Sequence, residues 1–92
     1  MYTREKNNVI YVYRNQELFL RSLSGEYPHG MQMMYTADYA IELDKWTDGR
    51  TTGNCKVIKD RSGLLSRDNP QRVEKIFKII EILLEDAEIS YK

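Results

Sequence analysis

The chain has 92 residues, enough for one domain with a real core, and its 14 basic and 14 acidic residues cancel. That balance leaves no global field to draw the protein onto nucleic acid or a membrane, so any such contact must come from a local patch. One cysteine and one histidine exclude an internal disulfide and a structural zinc site, and neither a metal nor a cofactor is expected.

The first stretch, Met1 to Asn8, is polar, lacks the apolar core of a signal peptide and reads as a frayed end. No apolar run is long enough to span a bilayer, so a cytoplasmic chain without membrane contact is expected. Val9-Ile10-Tyr11-Val12-Tyr13 is a run of β-formers apolar on both faces, which suits an inner strand. Asn15 can cap a short helix over Gln16 to Leu23, with Glu17 in its first turn and Gly25 ending it. Ser24 to Gly30 is loop chemistry, and Met31 to Tyr35 fits either one helical turn or the start of a strand.

Alternation then sets in. Tyr39, Ile41 and Leu43 fall on one side and Asp38, Ala40, Glu42 and Asp44 on the other, the period-two pattern of a half-buried strand. A second extended segment runs from Cys55 to Gly63. Thr47 to Gly53 carries two glycines that tolerate positive φ, so an antiparallel hairpin with a long, mobile tip is predicted. After Leu64 and Leu65, Asp68 or Asn69 can cap a helix with Pro70 at its first position. Val73, Ile76, Phe77, Ile80, Leu83, Leu84 and Ala87 recur at three and four, and Ile79 and Ile82 widen that apolar stripe beyond what one sheet face needs. The expected fold is α+β in the order β-α-β-β-α: a single domain with a three-stranded mixed sheet, its first two strands parallel through a right-handed crossover, packed against a long C-terminal amphipathic helix.

No catalytic set emerges. His29, between Pro28 and Gly30, reads as a solvated loop imidazole, and Cys55, among apolar neighbours, as a small buried hydrophobe. Met31, Met33 and Met34 suit either an adaptable contact surface or core filling. Lys45, Arg50, Lys56, Lys59 and Arg61 lie on or near the hairpin with Trp46 beside them, a mix that suits contact with a phosphate backbone and stacked bases. Asp38, Glu42, Asp44, Asp48 and Asp60 interrupt it, which fits a mixed solvated face better, although Arg50 has no acidic neighbour on its C-terminal side. Seven tyrosines exceed what so small a core can bury. Tyr27, Tyr35 and Tyr39, with Ile79 and Ile82, are the candidate partner-binding residues.

The order of three of these segments resembles the last third of the ATPase core of RecA-like recombinases and DnaB-type replicative helicases. The segments are Val9 to Gln16, Ala37 to Leu43, and Lys59-Asp60-Arg61-Ser62-Gly63. The resemblance implies that Gln16 is a γ-phosphate sensor and that Lys59 and Arg61 reach a nucleotide on a neighbouring subunit. The chain departs from that family in having no Gly-x-x-x-x-Gly-Lys-Ser/Thr loop and no separate metal-binding acidic strand end, so ATP hydrolysis by this chain alone is not expected. The C-terminal helix has no counterpart at that place in the family. Two readings of function follow. One is a small non-enzymatic adaptor or inhibitor-like module that docks on a protein, either itself as a homodimer or a component of nucleic-acid metabolism; the other is a RecA-core-like fragment lending Lys59 and Arg61 to a separate P-loop subunit.

Overall fold

A computed structural model describes residues 1–24, 33–65 and 70–90, the last five of these as backbone alone. Tyr27, His29, Met31, the expected stop at Gly25 and the expected caps Asp68 and Asn69 lie outside the described residues. Along the chain come β1 (Tyr2–Lys6), β2 (Val9–Tyr13), α1 (Gln16–Ser24), α2 (Met33–Thr36), β3 (Tyr39–Lys45), β4 (Thr51–Asp60), β5 (Gln71–Arg72) and α3 (Val73–Ser90).

The class is α+β, but the sheet is not the three-stranded mixed sheet that the pattern predicts. Five strands lie in the order β1-β2-β3-β4-β5, and every neighbouring pair is antiparallel. The expected frayed end is a strand, because Asn7 and Asn8 both take positive φ (52° and 67°) and fold β1 back onto β2 through a two-residue turn. Asparagine tolerates that conformation because its short amide bonds locally.

The parallel crossover is also absent. Val12 pairs with Tyr39 and the Asp38 amide donates to the Val12 carbonyl at 2.8 Å, so β3 begins beside the point where β2 ends. The connection through α1 and α2 returns the chain to the sheet end it left, which forces an antiparallel neighbour.

Pairing places Ile10, Ile41 and Val57 on one face and Tyr11 with Ala40 on the other. The first face carries α3. Val12, Tyr39, Ile41, Cys55 and Val57 pack with Leu65, Ile76, Ile80 and Leu84, and Ile10, Leu43, Val73, Phe77, Ile79 and Leu83 close the margins. Burying each of these large side chains contributes about 1.5–3 kcal/mol. Helix α3 starts at Val73 and not at Pro70, which precedes the short strand β5. On the opposite face Phe19 of α1 stacks on Tyr2 (centroids 5.3 Å apart) and meets Tyr13 edge-on at 6.0 Å. Asn15 caps α1 as expected, its Oδ1 accepting from the Leu18 amide at 3.0 Å.

The hairpin of β3 and β4 is present, and its tip is a closed turn. The Trp46 amide donates to the Arg50 carbonyl at 2.7 Å and the Gly49 amide to the Trp46 carbonyl at 2.9 Å. Gly49 (φ 89°) and Gly53 (φ 85°) hold the left-handed backbone that the turn and the start of β4 require. Among the described residues no helix is long and apolar enough to cross a membrane.

Candidate functional site

The end of β2, the start of β3 and the end of β4 converge on Asp38. Its side chain is held by two donors: the Arg14 backbone amide to Oδ2 at 2.8 Å and Arg61 Nη1 to Oδ1 at 2.6 Å. The Asp38 carbonyl also accepts from the Arg61 amide at 3.1 Å. Only 6% of Asp38 is exposed, so the carboxylate is stabilised by hydrogen bonds and an opposite charge in place of water. Arg61 is its counter-ion, with a side chain 68% exposed. Asp38 acts as a clamp that joins three strands and fixes the base of the Arg61 guanidinium.

Beside this clamp lies a cleft of about 380 Å³ lined by Arg14, Asn15, Leu18, Asp38 and Arg61. Lys59, next along β4, turns to the α2 side and donates from Nζ to the Met34 carbonyl at 2.6 Å. Desolvation lowers its pKa, partly offset by the nearby Asp38 charge. Asp60 organises the turn after β4: Oδ1 accepts from the Ser62 hydroxyl (2.6 Å) and amide (3.0 Å), and Oδ2 from the Leu65 amide (2.8 Å). Burial alone would raise its pKa, but these bonds, the Ser62 hydroxyl first, outweigh it and hold the carboxyl below its ordinary value.

The two residues that the resemblance casts as fingers therefore have internal partners. Arg61 holds Asp38 and Lys59 holds α2, so neither stands as an unattached cation at a strand end. Gln16 is exposed at the first position of α1. At the hairpin tip Trp46 is exposed, and Arg50 pairs with the acid on its N-terminal side: its Nε meets Asp48 Oδ2 at 2.8 Å, and its amide donates to Oδ1 of the same carboxylate. Lys56 is exposed opposite Glu42 on the neighbouring strand, and Lys45 is half-buried at the end of β3. The structure thus brings Arg14, Asp38, Lys59 and Arg61 to one end of the sheet and leaves Lys45, Trp46, Arg50 and Lys56 along the hairpin.

The partner-binding candidates are sorted by burial. Tyr39 is a core residue whose phenol burial pushes to a higher pKa, and it offers no surface to a partner. Ile79 is half-buried against the core. Tyr35 is exposed on α2, and Ile82 is 57% exposed on the outside of α3. Sequence reasoning missed Leu20 and Leu23, each 52% exposed on α1; the signal was the apolar pair at i and i+3 on a helix whose inner face is already filled by Phe19. Cys55 is buried, with its thiol pKa pushed up by desolvation, as a packing role requires. Among the described residues no three His, Cys, Asp or Glu side chains come together as a metal site.

Compared with known proteins, the chain matches no family model, no curated protein and no solved structure.

Proposed function

We propose that the protein is a non-enzymatic binding module that docks on a protein partner, a second copy of itself included, through the helical layer formed by α1 and α2. The observation that carries this reading is the outer face of α1. Leu20 and Leu23, one turn apart, are each half in solvent, although Phe19 of the same helix already supplies its contacts to the sheet. Two leucines that a nine-residue helix leaves half exposed still have apolar surface to bury and are suited to contact with a partner. Tyr35, exposed on α2 on the same side of the sheet, adds a large, stiff contact residue. The state of Asp38 also supports binding over chemistry: both carboxylate oxygens are engaged in structure.

The test uses Leu20→Glu/Leu23→Glu, which leaves Phe19 in place. Size-exclusion with light scattering over a concentration series, and affinity capture from the native host with mass spectrometry, are run on both chains. A self-association or a specific retained protein that the double variant loses is the expected result. If wild type and variant have the same mass and retain the same proteins, docking through α1 is wrong.

A further inference from the structure

We propose that the outer edge of β1 takes up an extended segment of a protein partner as a further strand of the sheet, a segment with acidic residues at alternate positions and a basic residue between them. This goes beyond docking through the helical layer and uses backbone in place of apolar surface. The Asn7-Asn8 turn decides which groups are on offer. A two-residue turn makes its flanking residues, Lys6 and Val9, a hydrogen-bonded pair. Alternation then turns the N–H and C=O of Arg4 and Tyr2 inward as well, and those of Thr3 and Glu5 outward. The next strand agrees with this phase, since the Val12 carbonyl, opposite Thr3, faces β3 and accepts from the Asp38 amide. Among the described residues, no hydrogen bond or ion pair reaches Tyr2–Lys6 beyond the β2 ladder, and Thr3, Glu5 and Lys6 are exposed. The edge is therefore a row of open donors and acceptors, the template that strand addition uses.

Side chains choose the occupant. Arg4 and Lys6 lie with Tyr2 on the α1 side of the sheet, and Glu5 lies with Thr3 on the α3 side. An antiparallel segment whose residues fall opposite Lys6, Glu5 and Arg4 in turn meets positive, negative and positive charge, so acidic, basic, acidic is the matched order. The same charges repel a segment of the opposite pattern, which makes a deterrent to indiscriminate pairing into a means of selection. A second copy of the chain is not matched. Identical antiparallel strands related by a two-fold axis set one residue against itself, and the register that overlaps all of β1 sets Arg4 against Arg4.

The experiment is an NMR titration of the full chain at constant ionic strength, following backbone amides and their hydrogen exchange. The probe is a blocked peptide, Ser-Glu-Lys-Glu-Thr-Val-Ser. One control replaces both Glu by Lys; a second carries N-methyl groups on Lys and Thr, which fall opposite Glu5 and Thr3. Saturable shifts in β1 and β2, with a Kd of about 1 mM or tighter, and slowed exchange of the Thr3 and Glu5 amides are expected. Lys6→Glu should weaken the probe about fivefold and strengthen the all-Lys control by as much. If that variant loses the wild-type spectrum outside β1, the two control peptides on the wild-type chain decide. Leu20→Glu/Leu23→Glu should bind the probe as wild type does, which separates this edge from the α1 surface. The proposal is overturned if the probe does not saturate by about 10 mM, if either control binds wild type equally well, or if the leucine variant loses the probe. Thr3 and Glu5 amides already slow in the free chain, with a mass that rises with concentration, would put a second copy on the edge and overturn it too.

Discussion

Asp38 shows how much a single side chain can tie together without a local signal. Its partners lie 24 positions back, at the Arg14 amide, and 23 positions ahead, at the Arg61 guanidinium. Nothing in the neighbouring sequence marks either, which is why the residue reads in isolation as one more acid diluting a basic patch. Its burial makes the bonds costly to lose, since an amide left without an acceptor bears its full desolvation penalty. Asp38→Ala should therefore lower stability by about 2–3 kcal/mol in urea denaturation. Asp48→Ala removes the exposed partner of Arg50 and should change stability by less than about 0.5 kcal/mol. Equal effects from the two substitutions would show that the clamp is not structural.

At the scale of elements, what was legible was what local periodicity writes. The β3–β4 hairpin, the capped helix α1 and the body of the long helix α3 are present as their patterns predict, although β4 begins at Thr51, within the expected tip. What was not legible depended on pairing. Strand β1 is made of Tyr2, Thr3, Arg4, Glu5 and Lys6, and a charged segment of this kind becomes a strand only at a sheet edge, where its side chains stay in water and discourage further pairing. The Asn7-Asn8 turn was the available clue. The start of α3 was misplaced for a similar reason: Pro70 suits a first helical turn, yet Asn54 and Cys55 pair with Arg72 and Gln71 and hold those two residues extended. Of the two residues that widen the apolar stripe of α3, Ile79 packs against the core and Ile82 stays exposed. Ile80 is wholly buried while Ile82 is outside. Ile80→Ala should cost about 2–5 kcal/mol, and Ile82→Ala should stay within about 0.5 kcal/mol. Chemical denaturation of the two variants under one set of conditions measures the difference; a matching loss at Ile82 would place it in the core.

For the whole molecule, the sheet is covered on one face by α3 and on the other by α1 and α2, so its exposed backbone is concentrated at its two edges. One edge strand, β5, is two residues long, and the other is β1. Removing residues 1–6 would deprive β2 of its outer partner along the full register from Tyr13 to Val9 and strip Tyr2 from the Phe19 stack. The newly bared strand, Val9-Ile10-Tyr11-Val12-Tyr13, combines high β-propensity with no charge, the composition that pairs most readily with another chain. The truncated chain should therefore unfold at a lower urea concentration than the full chain and form larger species in light scattering at the same concentration. A frayed N-terminal end would contribute to neither property. If the shortened protein keeps both the midpoint and the association state of the full chain, β1 adds nothing to the fold and the sheet is organised around β2 to β4 alone.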